Sequence, residues 1–382
     1  MGLTVEVAFD VAPGDEPTSG DWTDVTSRVA GPVTATRGAV AGGQAHNEAT
    51  FQLDNLDGQM SPDVVGPALV RHCRIRVDSL PLFRGLTARW RPIWATNQAR
   101  IDVRLHDALA WLALQDADVD LPAQRSHDRI DALLDLAGWP ESLRDVGDGV
   151  VRLSAWEQNG ANLRRLVEDS ADAEDGDLHV DRDGTLRFRS RHHRFDASPQ
   201  IQLAGDGAAS GVRVANGLTP TYDTDHLITV ARVERADGDV FESTDPAAVG
   251  DFGPRTVSVR DLPMPDAEAT AAANWLVYRF SEPTTQFRGV PVYADDDRAA
   301  VLAVQLGDLV EFTHVPPGGT VQPWQGHVER QVDRFETGRF VSTWDLSPYF
   351  GEGPWGRWES SEATSGSEWV SETATEGPRW AP

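Results

Sequence analysis

The chain has 382 residues, 40% of them apolar and 25% charged, so it is long enough for two or three domains with separate cores. All 34 basic residues are Arg, and 60 Asp and Glu outnumber them, which gives a formal net charge of −26. A protein this acidic repels phosphate backbones and anionic membrane surfaces. Sequence-specific binding of nucleic acid is therefore disfavoured.

Two features indicate a chain that depends neither on an oxidising compartment nor on a membrane. Cys73 is the single cysteine, so it cannot form an intramolecular disulfide. Residues 1–6 lack the basic and apolar regions of a secretory signal, and no stretch approaches ~18 uninterrupted apolar residues. We therefore expect no signal peptide and no membrane span.

Residues 1–110 have the pattern of a β module. Apolar and polar residues alternate in four segments, at 5–9, 51–53, 75–77 and 101–105. This period of two predicts strands with one buried and one wet face, as in an antiparallel sheet or barrel. Turn residues separate the segments, for example Asn55-Leu56-Asp57-Gly58.

Residues 111–200 are predicted to form an α+β insertion domain. A helix begins at Ser126 as N-cap and ends before Gly138, and a second begins near Asn159 and stops at Gly176. The second helix is expected to bury four residues, Leu163, Leu166, Val167 and Ser170. A hairpin with the turn Asp183-Gly184 follows.

Residues 201–347 return to strand patterns and are predicted to form a second β module. Inward apolar positions include Val328, Val332 and Phe340. One helix interrupts the strands, with Asp266 as its cap and Pro283 beyond its end. The predicted fold class is therefore mainly β, with two β modules and a small α+β domain between them.

Residues 348–382 differ from the rest of the chain because Trp358, Trp369 and Trp380 recur every eleven residues with few aliphatic neighbours. Such a segment cannot bury a core of its own. It is either disordered or laid against a partner, and the regular spacing of a large aromatic favours contact as much as disorder. The candidate contact residues of this Trp-rich C-terminal tail are Trp355, Trp358, Trp369 and Trp380.

Seven further Trp residues are interpreted as core residues because they lie within or beside predicted elements. They are Trp22, Trp90, Trp94, Trp111, Trp139, Trp156 and Trp275.

No motif predicts a catalytic, cofactor or metal site. Ser126-His127-Asp128 has the residue types of a hydrolytic triad, but adjacent side chains at a helix start point in different directions. His192-His193 has no nearby third or fourth ligand. Asp116, Asp118 and Asp120 have the spacing of a calcium loop, but Leu121 stands where such a loop needs Gly.

Several stretches resemble one family, the minor tail proteins of phages that infect actinobacteria. In chain order they are VEVAF at 5–9, WTDVT at 22–26, ATFQLDNLDG at 49–58, PLFRG at 81–85, HDAL at 106–109, IDALL at 130–134, AGWP at 137–140 and DRDGTL at 181–186. These motifs are structural, so their specificity comes from their order and number. The resemblance covers residues 1 to about 195 well and residues 201–347 only in outline.

The resemblance implies a hub of a phage tail tip or baseplate. Such hubs are ring-shaped homotrimers in which each chain contributes two tail-tube-like β-barrel modules, with α+β insertions at the rim. The implied partners are a distal tail protein, a tape-measure protein and other tip proteins for host attachment and DNA ejection. The protein would then be located in the virion, and part of its acidic charge is expected to line the lumen through which DNA passes.

Two other functions remain open. The first is a tail-associated hydrolase of the cell wall, since 60 carboxylates leave room for a catalytic pair. The second is a cell-surface or carbohydrate-binding adhesin that uses the Trp-rich tail. Deletion of residues 351–382 separates the adhesin from the hub, because an adhesin would lose only adsorption whereas loss of a tail arm would abolish assembly of the hub.

Overall fold

The computed structural model describes residues 2–38, 47–66, 68–95, 98–194, 197–205, 211–214, 218, 220–222, 224, 226–314, 319–320, 322–336 and 338–349. Within these residues the chain forms 24 β-strands, seven α-helices and three short 3₁₀ helices. The expectation of a mainly-β protein is confirmed. The 3₁₀ helices are Thr26–Arg28, Glu141–Leu143 and Arg191–Arg194.

The first 107 residues form strands where the sequence alternates. They comprise β1 (Leu3–Ala8), β2 (Thr23–Asp24), β3 (Val33–Gly38), β4 (Glu48–Asp54), β5 (His72–Val77), β6 (Leu80–Ala95) and β7 (Gln98–His106), with the short helix α1 (Pro62–Val65). Val5, Val7, Ile75 and Val77 are fully buried, whereas the residues between them are partly exposed. The period of two therefore identified the core face of these strands correctly.

The segment after β7 forms a compact α+β unit with its own apolar core. Its elements are α2 (Leu109–Leu112), β8 (Asp116–Leu121), β9 (Gln124–Arg125), α3 (Ser126–Leu136), β10 (Arg144–Val146), β11 (Arg152–Leu153), β12 (Trp156–Asn162), α4 (Leu163–Asp172), β13 (Asp177–Val180) and β14 (Leu186–Arg189). The four residues predicted for the buried face of the second helix are all buried. Gly138 has a φ of 66° directly after α3, as expected of a residue that ends a helix.

Two helix starts differ from the sequence-based predictions. Ser126 is the first residue of α3 and does not cap it, because its hydroxyl is buried and donates to the Glu174 carboxylate. The following helix begins at Leu163, and the side chain of Asn162 accepts a hydrogen bond from the Arg165 amide. Residues 159–161 instead belong to β12, which pairs with β8.

A second inserted unit lies within the C-terminal half and consists of a three-stranded sheet covered by a helix. Its elements are β18 (Val230–Arg235), β19 (Val240–Thr244), α5 (Pro246–Phe252), β20 (Thr256–Leu262) and α6 (Asp266–Phe280). Ala269 and Ala273 of α6 are buried against this sheet, so small side chains permit close packing. Asp266 opens α6 but Pro265 is its N-cap, which corrects the predicted cap.

The remaining strands return to the first sheet. They are β15 (Ile201–Ala204), β16 (Val212–Arg213), β17 (Pro220–Tyr222), β21 (Thr285–Val292), β22 (Leu309–His314), β23 (Gln322–Glu336) and β24 (Arg339–Pro348), with α7 (Arg298–Ala303) between β21 and β22. Trp344 is fully buried, and the rings of Phe287 and Phe312 meet edge to face at 4.7 Å. Residues from both halves of the chain contribute to this one core.

Strand β23 joins the two halves into one sheet of fourteen strands. Its residues 322–327 pair with β22, and its residues 330–335 pair with β3. Gly38 permits this approach: its φ is 92°, and a Cβ there would lie 2.1 Å from the Glu329 carbonyl oxygen. The predicted barrels are not confirmed, because no closed barrel is found in the described residues and the pairing of β3 with β23 places both halves in one sheet.

None of the helices in the described ranges combines the length and apolar character that crossing a bilayer requires. Residues 350–382 of the Trp-rich tail, which include Trp355, Trp358, Trp369 and Trp380, lie outside the described residues.

Candidate functional site

The residues of the apparent hydrolytic triad do not form one. The Ser126 hydroxyl donates to Glu174, while the His127 Nδ1 accepts a hydrogen bond from the Gly149 amide at 2.9 Å. The His127 Nε2 lies 3.3 Å from Asp128, whose side chain is more than half exposed. The serine and the histidine are therefore engaged with different partners, and this arrangement provides no activated nucleophile.

The other polar motifs have structural partners. Asp116, Asp118 and Asp120 occupy the exposed face of β8, and Asp118 accepts a hydrogen bond from the Gly160 amide at 2.7 Å. His192 and His193 lie in the 3₁₀ helix after β14. No group of three or more potential metal ligands occurs in the part of the chain that the structure describes.

The most unusual polar feature is a set of ion pairs, one fully buried and the others partly buried, between the first inserted unit and β23. We call it the ionic seam and define it by two clusters, Arg182 with Asp333 and Arg194 with Asp177 and Glu329. Buried charges are costly unless they are paired and hydrogen-bonded. The seam therefore specifies how the inserted unit sits on the sheet.

The β13–β14 turn places Arg182 in the first cluster. The turn is held by Asp183, which accepts a hydrogen bond from the Thr185 amide at 3.0 Å, and by Gly184 at a φ of 93°. Arg182 and Asp333 form an ion pair in which both side chains are fully buried. The Ser342 hydroxyl donates to the second Asp333 oxygen at 2.5 Å, so this carboxylate is bound on both sides.

A second arginine reaches the same cluster from β3. Arg37 is 1% exposed and donates to Gln305 at 2.7 Å and also to Gln331. Arg182 donates to the same Gln331 oxygen at 3.0 Å. Burial, and then the neighbouring Arg182 charge, lower the pKa of Arg37 to about 9. One amide oxygen on β23 thus connects β3 to the inserted unit.

The second cluster is centred on Arg194, which ends the 3₁₀ helix. Its guanidinium donates to Asp177 at 2.8 Å and to Glu329 at 2.5 Å, and the Ser347 hydroxyl donates to Glu329 at 2.5 Å. Burial alone would raise the pKa of both carboxyls. The Arg194 charge outweighs burial and holds the pKa of Asp177 and of Glu329 below the usual range.

A cleft of about 440 Å³ opens beside the second cluster. Its principal walls are Arg191, Arg194, Trp275, Tyr278, Arg279 and His327. His327 lies with Nδ1 2.8 Å from the Gly307 carbonyl oxygen. Burial, and then the Arg194 charge, lower the pKa of His327 to about 4, so the imidazole is neutral at pH 7.

The cleft also contains two carboxylates, Asp245 and Glu282. Asp245 caps α5, accepting hydrogen bonds from the amides of Ala247 and Ala248 at 2.9 and 3.0 Å. The bond from Ala248 is the main reason that the pKa of Asp245 is lowered. A carboxylate held ionised in this way is unsuited to act as a general acid.

Sequence reasoning missed the ionic seam because β23 contains an irregularity that its alternation of residues does not show. Gln331 and Asp333 are fully buried, whereas Val332, which was expected to face the core, is only partly buried. The pairing register of β23 with β24 shifts between Val328 and Arg330. Such an irregularity reverses the faces beyond it, so the polar residues turn inward.

Outside the cleft, an apolar patch lies at one end of the first seven strands. Trp94 is 78% exposed and Leu56 is 69% exposed. Trp94 pairs with Ala99 across the β6–β7 hairpin, and the Asn55 amide donates to the Ala99 carbonyl oxygen at 2.9 Å. Trp94 and Leu56, which follows Asn55, therefore lie at the same end of the sheet. The expectation that Trp94 is a core residue is wrong, because it lies beyond the last buried position of β6.

Comparisons with known proteins identify the fold. No protein-family model matches the sequence, and no curated protein matches it. Among solved structures, the chain is similar to a tail protein from Neisseria meningitidis MC58, with a TM-score of 0.62 and 12% identity over 91% of this chain and 96% of that chain. A 43 kDa tail protein of prophage MuSo2 from Shewanella oneidensis gives a TM-score of 0.59 and 11% identity, with the same coverage of 91% and 96%.

A third similar structure is an Escherichia coli component of the type VI secretion system, itself described as similar to the T4 bacteriophage tail proteins gp27 and gp5. It matches with a TM-score of 0.50 and 10% identity over 84% of this chain and 74% of that chain. The chain therefore has the fold of phage tail proteins across most of its length.

Proposed function

We propose that this protein is a structural component of a bacteriophage tail, a hub-like minor tail protein at the tail tip that acts by assembly rather than turnover. The observation that carries the proposal is the similarity of fold to two tail proteins over 91% of the chain. Fold alone does not establish function, so the proposal depends on assembly behaviour that can be measured.

In this proposal three copies form a ring, and each copy contributes both halves of its large sheet. The division of the chain into 1–110, 111–200, 201–347 and 348–382 is part of the same proposal. The partners are a distal tail protein, a tape-measure protein and other tip proteins for host attachment and DNA ejection. The resemblance seen in the sequence points to a phage of an actinobacterial host.

The net charge supports a role in which the protein surrounds DNA without binding it. With a net charge of −26, an acidic inner wall would repel phosphate groups and let DNA pass without being gripped. We therefore expect part of this charge to line the lumen of the ring. A basic channel in the assembled ring would contradict the proposal.

Exposed apolar residues support docking. The patch of Trp94 and Leu56 presents a large aromatic to solvent, and such side chains are enriched at protein interfaces. In the proposal this end of the sheet contacts the next ring of the tail, and the Trp-rich tail provides further contacts through Trp355, Trp358, Trp369 and Trp380.

The test is the mass of the purified full chain in solution, followed by electron microscopy of the particles. We expect a trimer and a ring, alone or with the distal tail protein. A matched pair of variants, Trp94→Ser and Leu136→Ser, removes an exposed apolar side chain at the patch or on α3. Only the first should weaken docking; a chain that stays monomeric with its tail partners present would overturn the proposal.

A further inference from the structure

The cleft beside the ionic seam contains a buried arginine that lacks an anionic partner. Arg191 is 8% exposed, and its guanidinium lies 5.9 Å from the centre of the Trp275 ring. Within the described residues Arg191 forms no ion pair, whereas Arg194 and Arg279 are each paired with a carboxylate, Asp177 and Asp175.

A nearby carboxylate does not fill this role. Glu174 is close enough that the Arg191 charge opposes the rise that burial causes in its pKa. However, the Glu174 oxygens accept hydrogen bonds from the Ser126 hydroxyl and from the Val150 amide. The Arg191 guanidinium lines the cleft and forms no ion pair within the described residues, so an anionic group in the cleft would gain a charge-assisted hydrogen bond there.

The described chain ends next to this cleft. The Tyr349 amide bonds to the Gln325 carbonyl oxygen at 3.0 Å, and the Tyr349 ring lies 5.8 Å from the ring of His327, a wall of the cleft. Three residues of extended chain span about 10 Å, so Glu352 is within reach of the cleft.

The sequence that follows has the matching chemistry. Residues 350–382 contain six Glu and two Arg, together with four Trp. The cleft offers a guanidinium for a carboxylate and the aromatic surface of Trp275 and Tyr278 for an indole. The cleft volume of about 440 Å³ lies within the range of roughly 300–1,000 Å³ that is typical of small-molecule pockets.

We propose that the start of the C-terminal segment, residues 350–358 of the same polypeptide, binds in this cleft, with the Glu352 carboxylate on Arg191 and the Trp355 indole against Tyr278. The segment would thereby bridge β24, the 3₁₀ helix and α6 and fasten both inserted units to the sheet. The inference assigns Trp355 to a contact within the chain, so only Trp358, Trp369 and Trp380 are left for the partner contacts of the proposed function.

Disulfide trapping in the full-length protein tests the contact. The variant Tyr278→Cys with Trp355→Cys should form an intramolecular disulfide under mild oxidation. The native Cys73 does not interfere, because it is fully buried and burial raises the pKa of its thiol. The matched control is Val240→Cys with Trp355→Cys, since Val240 is exposed on β19 and does not line the cleft.

Two substitutions in the trapping variant test the ion pair. Glu352→Gln and Arg191→Gln should each slow disulfide formation by up to about tenfold, while Glu376→Gln should leave the rate unchanged. Glu352 lies outside the described fold, so its substitution remains informative if Arg191→Gln prevents folding. Trapping no faster than in the control overturns the inference, and so does a covalent dimer, which would assign the cleft to a second copy.

Discussion

The two halves of the large sheet share one core but are assembled in different ways. In the first half, β5, β6 and β7 are consecutive and pair as neighbours. The β5–β6 turn consists of Asp78 and Ser79, both at positive φ, as tight two-residue hairpin turns require. In the second half, β15 pairs in parallel with β22, and Ile201 lies opposite Val310. The second inserted unit lies between these two strands in the sequence.

The difference shows where the register of each half comes from. A two-residue turn sets the pairing of its strands locally. Parallel strands distant in sequence need contacts from elsewhere, and here β23 supplies them through β3 and the ionic seam. The second half should therefore be the more sensitive to changes in buried polar contacts.

The largest expected effect comes from removing a buried charge of the seam. Asp333→Asn leaves Arg182 without its ion-pair partner in a fully buried site. We expect the free energy of unfolding to fall by about 3 to 5 kcal/mol, because an uncompensated buried charge remains. Urea denaturation measures the change, with Glu336→Gln as control, since its ion pair with Arg334 is solvent-exposed. Equal losses in the two variants would contradict a stabilising seam.

The joint between the halves can be broken at a glycine. Gly38→Ala forces a side chain into a left-handed conformation and against the Glu329 carbonyl group of β23. The free energy of unfolding should fall by about 2 to 3 kcal/mol. Gly20→Ala is the matched control, because a Cβ at Gly20 would meet no atom within 4 Å and the φ of this residue is not positive. If Gly38→Ala leaves the free energy of unfolding unchanged, then β3 and β23 can move apart at this position without loss of stability.

Acid should weaken the second half through His327. Its pKa is about 4 in the folded chain against an ordinary value of 6.5, so only the unfolded chain takes up a proton between these values. Stability from this group is lost as pH falls from 6.5 towards 4. On going from pH 6.5 to 5.0, the free energy of unfolding of His327→Gln should rise by about 2 kcal/mol relative to that of wild type. Denaturation midpoints at both pH values test this, and a constant difference between the proteins would refute it.

The first half should respond to pH in the opposite direction through Asp107, which follows β7. Burial raises the pKa of this carboxyl to about 7 from an ordinary value of 3.8. The folded chain takes up the proton between these values, so stability falls as pH rises through them. As pH rises from 5.0 to 6.0, the free energy of unfolding of Asp107→Asn should rise by about 1 kcal/mol relative to that of wild type. A loss over the same interval would contradict the buried, protonated carboxyl.

Prediction from sequence succeeded where the residues that determine an element lie within one short segment. The hairpin around Asp183-Gly184 and the buried face of α4 were predicted because turn residues and apolar spacing act over a few positions. The ionic seam was not predicted, since Arg182 and Asp333 meet only after the inserted unit docks. The irregularity after Val328 exchanged the faces of β23, which a strict period of two cannot show.

The sequence by itself determined the mainly-β composition, the core faces of the first strands and the local turns, because these depend on neighbouring residues. Tertiary structure alone decided that β3 and β23 join the halves into one sheet, that Arg182 is fully buried as an ion pair and that Arg194 is partly buried as one. A charged side chain in a sequence looks solvent-exposed until its partner is known. Partners more than a hundred residues away are brought to it only by the completed fold.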